Sequence, residues 1–222
     1  MFVHSSYALH WLSKVPEGIE NNKGNIYINK TSPSSVLKAY YEQFQNDFSG
    51  FLKCRAKEIV DGGRMVLTFV GRRSDDPCSD DSCYLKELLA NALKDMVLQG
   101  IITEDKVNTF NVPNRVLNKV KLEVFNEGSF AINQAEMFEV NLNPLDDHND
   151  FDFESKKSQS LHNGYNLMRC MRAIFEPLII SHFGEAIVEE VFSRYQEILV
   201  DRIMSNVKIK SYNFTISLIR NA

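Results

Sequence analysis

Apolar side chains recur at three- and four-residue steps through Leu37, Tyr40, Tyr41, Phe44, Phe48 and Leu52, drawing one stripe along a long helix. Ser32 is placed to cap this helix, and Pro33 suits its first position, where a missing N–H costs nothing. Gly62 and Gly63 are expected to end it, because glycine accepts the left-handed conformation of a helix stop. Residues 64–71 are short, apolar and flanked by glycine, which predicts a strand buried on both faces. Helix, glycine pair and strand together make one αβ step of an open, mainly parallel sheet.

The pattern then turns polar and acidic over residues 74–83, a loop containing Pro77. A helical segment runs from about Tyr84 to Leu98, Gly100 stops it, and a shorter segment ends before Pro113. Residues 129–140 alternate as a strand does, whereas residues 141–161, rich in Asp, Asn and Ser, read as a loop. Two helices follow at about 165–180 and 185–204, the second carrying Ile187, Val188, Val191, Phe192, Ile198 and Leu199. Residues 212–218 are β-branched and aromatic, a closing strand, and residues 2–9 form a strand or the end of one. About four strands interleaved with five or six helices predict an α/β fold with added helices. A complete doubly wound sheet usually has more strands.

Composition narrows the function. A chain of 222 residues with 44% hydrophobic and 24% charged side chains belongs with soluble globular proteins. A formal net charge of −4 leaves no basic stripe for nucleic acid. No apolar run approaches the roughly 20 residues of a membrane span. The first five residues lack the basic region and apolar stretch of a secretory signal. Cys54, Cys78, Cys83 and Cys170 are scattered, with no Cys-x-x-Cys spacing, so reduced thiols in a cytoplasmic protein are expected. The acidic run Asp146, Asp147, Asp150, Asp152 and Glu154 lacks the sixth-position glycine of an EF-hand and reads as a solvated loop.

Seven blocks carry a resemblance. They are residues 5–16, 22–28, 32–43, 63–73, 110–113, 127–130 and 170–173, the first running Ser5-Ser6-Tyr7-Ala8-Leu9-His10-Trp11. In order and spacing they resemble the SABATH family, plant methyltransferases of salicylate, benzoate, jasmonate and theobromine type. The resemblance covers essentially the whole chain. It implies the C-terminal part of a Rossmann-like class I methyltransferase sheet with an added α-helical cap, the cap segments at about 84–120 and 160–182. The part of that fold that opens the sheet and holds the methyl donor is expected to be missing, since no glycine-rich strand-to-helix turn with a following acidic residue is present.

The resemblance implies transfer of a methyl group from S-adenosylmethionine to the carboxylate of a small aromatic acid. Trp11 matches the tryptophan that hydrogen-bonds the substrate carboxylate, and an indole N–H is a donor with no acceptor to repel an anion. Tyr7 and His10 match positions lining the same pocket, Met171 and Ile174 match its wall, and Ser6 matches the edge of the cofactor site. On periodicity alone Met171 and Ile174 are helix core. A magnesium site is implied at Asn22, Asn108, the carbonyl of Phe110, and Asn111, with Asn108 standing where the family pattern has Asp. Magnesium is usually bound through a carboxylate, so this change is expected to weaken the site. Lys86, Arg115 and Ser211 stand at or near positions where the family carries aromatics. The expected partners are a small carboxylic acid and a second chain, as a homodimer or as a heterodimer with a paralogue. The rival expectation is a catalytically inactive fragment that serves at most as such a partner.

Overall fold

The computed structural model describes residues 1–73, 80–113, 119–142 and 153–222. In chain order the elements are β1 (Phe2–Ser6), α1 (Ser34–Glu58), β2 (Arg64–Gly71), α2 (Asp80–Leu98), α3 (Glu104–Thr109), α4 (Val120–Glu127), β3 (Phe130–Asn141), α5 (Phe153–Phe183), α6 (Val188–Met204) and β4 (Lys210–Arg220). A single 3-10 turn, Glu185–Ile187, precedes α6. The chain forms two units. One comprises Met1–Cys83, Asn111–Val140 and Ser211–Ala222; the other comprises Tyr84–Phe110 and Asn141–Lys210.

The first unit is built on a sheet of order β1-β2-β4-β3. β1 runs parallel to β2 with Phe2 opposite Arg64, and β2 runs antiparallel to β4 with Phe69 opposite Phe214. The expected mainly parallel sheet is thus mixed, because the closing strand turns back against β2. One core cluster gathers Met65, Leu67 and Phe69 of β2 and Ile216 and Leu218 of β4. The predicted helix stripe supplies its other wall, with Tyr40, Phe44, Phe48 and Leu52 buried. Phe44 stacks on Phe48 at 5.4 Å, and Phe48 meets Phe69 edge-on at 5.9 Å, the offset and edge geometries that aromatic quadrupoles favour.

Several local expectations change. Pro33 occupies the N-cap position, before the first helical residue, and Ser32 makes no cap; its hydroxyl donates to Asn22 Oδ1 at 2.7 Å. α1 stops at Glu58, four residues before Gly62, since Ile59 turns extended and drops its side chain into the core. Gly62, at φ 72°, shapes the turn into β2 instead. Gly63 is required by proximity, because a Cβ there would lie 2.4 Å from Ile59 Cγ2. β2 is fully buried on one face only: Met65, Leu67, Phe69 and Gly71 are buried, while Val66, Thr68 and Val70 are half-buried. α4 escaped the periodicity reading, being eight residues with just Val120, Glu123 and Val124 buried. The loop expected to Leu161 ends earlier, because α5 already begins at Phe153. Residues 74–79, Arg115 and the acidic positions 146–152 lie outside the described residues.

In the second unit α5 packs on α6. The first turns of α5 hid in the sequence because their inward positions are small: Ser160 and Gly164 are buried there. A Cβ at Gly164 would lie 2.6 Å from Val200 Cγ2, a stiff β-branched neighbour. Gly164→Val is therefore expected to cost about 2 kcal/mol by overpacking. Urea unfolding measures this, and adding Val200→Ala should recover at least half of the loss. On the same helix Arg172 reaches Glu189, its Nη1 donating to Oε2 at 3.0 Å, and also bonds Glu176. Among the described residues no helix is long and apolar enough to cross a membrane.

Candidate functional site

β1 ends at Ser6, and the chain turns at once. Tyr7 carries φ 55°, a left-handed conformation that costs a non-glycine residue roughly 1–2 kcal/mol. It is held there from outside, its N–H donating to the Thr68 carbonyl of β2 at 2.9 Å. Trp11 N–H closes the turn onto the Ala8 carbonyl at 3.1 Å, and Leu12 N–H reaches the Pro113 carbonyl at 2.9 Å. Tyr7 is left 47% exposed, His10 is buried at 4%, and Trp11 is half-buried with its ring 5.9 Å from that of His10. Strained backbone is retained where the surroundings over-determine it, and such residues cluster at functional sites. The turn also lies at the carboxyl end of a parallel strand, the place where open α/β sheets bind ligands.

The strain is measurable. Tyr7→Gly removes it and is expected to raise the unfolding free energy by about 0.5–1 kcal/mol after glycine's own entropy cost. Tyr7→Val, β-branched at positive φ, should lower it. Denaturant melts of the two variants against the parent check both signs.

A network of neutral side chains lies next to this turn in the chain. Asn22, fully buried, accepts from Ser32 Oγ at 2.7 Å and from Asn25 Nδ2 at 3.4 Å. Its Nδ2 donates to Asn111 Oδ1 at 3.0 Å and to the Tyr27 carbonyl at 3.5 Å. Asn25 Oδ1 accepts from Asn29 Nδ2 at 2.6 Å and from Thr31 Oγ1 at 3.1 Å. Val112 N–H bonds the Ile26 carbonyl at 2.8 Å, and Tyr40 OH donates to the Val112 carbonyl at 3.2 Å. Burial pushes the Tyr40 phenol well above its ordinary pKa, so it stays a donor. Asn25, Ser32 and Tyr40 were not singled out in the sequence. The signal available was the density of asparagine at 21, 22, 25 and 29.

These contacts bear on the implied magnesium site. Asn22, Asn108 and Asn111 are neutral, and the amides of Asn22 and Asn111 bond each other. Asn108 lies in α3 and Phe110 just after it, in the other unit, where the Phe110 ring packs on Phe183 at 5.2 Å. A hard dication needs anionic or free oxygen donors, and this donor set does not fit one. Met171 and Ile174 sit in α5 of that second unit. Met171 is buried, as periodicity implied, whereas Ile174 is 43% exposed, an apolar side chain open to solvent.

The profile of the family described as SAM dependent carboxyl methyltransferase matches residues 1–221. The chain belongs to that family. Among its relatives, salicylate carboxymethyltransferase of Clarkia breweri is 49% identical over 223 residues, covering 100% of this chain and 60% of its own length. A probable jasmonic acid carboxyl methyltransferase of Theobroma cacao is 44% identical over 229 residues, again across 60% of its own length. The solved structure of loganic acid methyltransferase with SAH superposes with a TM-score of 0.82 at 33% identity, covering 100% of this chain and 61% of that one. The fold is therefore that of an α/β methyltransferase. This chain spans about 60% of the length of the curated relatives it matches.

Proposed function

We propose that this chain forms the acid-binding portion of an S-adenosylmethionine-dependent carboxyl methyltransferase, acting on a small aromatic acid of salicylate or benzoate type. Bound S-adenosylmethionine would supply an electrophilic methyl group. The nucleophile needs no general base, since a carboxylic acid with a pKa of about 4 is already ionised at neutral pH. What the protein must supply is alignment. In this reading Trp11 donates its indole N–H to one carboxylate oxygen, Tyr7 and His10 line the same end, and Ser6 faces the donor side. The family resemblance implies Met171 and Ile174 for the apolar wall of that pocket. The single observation that carries the reading is the left-handed Tyr7 at the end of β1, beside the half-buried Trp11.

Trp11 is the only tryptophan, so its fluorescence reports on this turn alone. Titrating the 222-residue chain with benzoate should change that emission saturably, and Tyr7→Ala should weaken the response. A flat titration to about 10 mM, an affinity floor of under 3 kcal/mol, would sink the reading.

The chain alone is expected to lack micromolar affinity for S-adenosylmethionine, because its sequence contains no glycine-rich strand-to-helix turn with an acidic partner. Calorimetry checks this. A second reading is supported by the terminal position of β1 in the sheet order and by Phe2, 65% exposed on it. In that reading the chain assembles with a second copy or a longer paralogue through strand β1, and sedimentation velocity separates the two.

A further inference from the structure

Away from the Tyr7 turn, the first unit carries a polar groove of about 470 Å³ between α1 and α4. Glu123 of α4 is only 2% exposed and lies on its wall. Its Oε1 accepts from Tyr41 OH and its Oε2 accepts from Gln45 Nε2 at 3.0 Å. Both donors are neutral. Among the described residues no lysine, arginine or histidine forms an ion pair with it. Lys119 instead lies over the ring of Tyr41, 5.0 Å from its centroid.

A buried carboxylate without a counter-cation is costly, and each of its oxygens keeps a second acceptor site after one hydrogen bond. Two parallel N–H groups satisfy such a pair best, which is guanidinium geometry. Asn46, Ser49 and Asn126 add neutral polar lining, which suits a polar organic ligand. A metal ion is a poor match. The other carboxylate of the groove, Glu127, is committed to Ser129, accepting from its N–H at 3.0 Å and its hydroxyl at 2.8 Å. Lys53 is exposed on α1, two turns beyond Gln45, which puts its backbone about 12 Å farther along the groove. The groove thus holds a buried anion near one end and a solvent-facing cation near the other.

We propose that this groove binds a small zwitterion of the basic amino-acid class, its guanidinium or ammonium group on Glu123 and its carboxylate toward Lys53. This site is separate from the acid-binding turn and does not depend on the methyl-transfer reading.

The test titrates the 222-residue chain with L-arginine while following the backbone amide resonances of Gln45, Ser49 and Asn126. Citrulline (a neutral urea in place of the guanidinium) and agmatine (no carboxylate) are the comparison ligands. Arginine should give saturable shifts, and citrulline should bind at least tenfold more weakly through loss of the charge-assisted pair. Glu123→Gln should weaken arginine by a similar factor. Lys53→Met, at an exposed position that leaves the fold intact, should weaken arginine severalfold and leave agmatine unchanged. If Glu123→Gln does not fold, the Lys53→Met comparison of arginine with agmatine carries the test by itself. Absence of saturable shifts, equal binding of citrulline, or arginine binding indifferent to Lys53→Met overturns the proposal.

Discussion

Replacing Phe69 by alanine is expected to lower the unfolding free energy by about 4 kcal/mol, the largest effect of any single truncation considered for this chain. Phe69 is fully buried in β2, with an edge-on contact to Phe48 of α1 at 5.9 Å and a tilted one to Phe214 of β4 at 6.4 Å. It therefore joins the helix to both central strands at one point. Its removal loses the transfer free energy of the ring and leaves a cavity whose walls are backbone-anchored and cannot collapse. Domains of this size are stable by only about 5–15 kcal/mol, so the variant should sit near the limit of folding. Urea denaturation followed by circular dichroism measures the loss. A double-mutant cycle with Phe48→Ala should return a coupling of about 1 kcal/mol for the aromatic pair, beyond area burial. A loss under about 1.5 kcal/mol would mean that the sheet and α1 do not share one core.

Asn22→Leu is expected to cost about 3 kcal/mol although the two side chains branch alike and have the same number of heavy atoms. The substitution keeps the branched shape, adds bulk at a fully buried position and removes both ends of the amide. Ser32 Oγ then loses its acceptor at 2.7 Å, and Asn111 Oδ1 loses its donor at 3.0 Å, each part-buried. An unmade buried hydrogen bond is costlier than a made one is favourable, and this asymmetry sets the magnitude. The fluorescence of Trp11 should report the damage too, because Leu12 hangs on Pro113, beside the Val112 that the Asn22 loop holds. Asn22→Asp separates charge from shape. It faces the acceptors Asn111 Oδ1 and the Tyr27 carbonyl with a carboxylate, so the folded state should hold its proton above the ordinary carboxylate pKa of about 4. The folded form then binds more protons than the unfolded one, and stability should rise as pH falls from 7 toward 4. A variant whose stability falls over that range would show that the network around Asn22 is not closed.

Much of the fold was legible along the chain. The stripe from Leu37 to Leu52, the run at 64–71 and the alternation after Ser129 became α1, β2 and β3; in α1 and β2 period and burial coincide, whereas β3 is mostly exposed beyond Phe130. Elements went unread where burial depends on partners with no local signature. α4 buries three residues in eight, and the first turns of α5 present Ser160 and Gly164, small residues that make sense only against Val200 of α6. The expected Ser32 cap failed for a related reason. A serine hydroxyl before Pro33 has several acceptors within reach, and Asn22, ten residues back, took it.

The candidate site divides in the same way. That Ser6, Tyr7, His10 and Trp11 belong together follows from sequence, since adjacent residues after a short strand must share one turn, and their order marks the family. That Tyr7 is left-handed does not follow. Nothing in its chemistry favours φ 55°; the hydrogen bond from its N–H to Thr68, on a strand more than fifty residues away, imposes it. The lineage, the helix and strand periods, and the residue types at the Tyr7 turn are readable along the chain. Contacts in space close four asparagines on one another, bury Glu123 with no cation paired to it among the described residues, and cover Met171 while leaving Ile174 exposed. Periodicity reports which face of an element is apolar. Hydrogen-bond partners and counter-charges are set by distance in space, and one-dimensional spacing does not carry that distance.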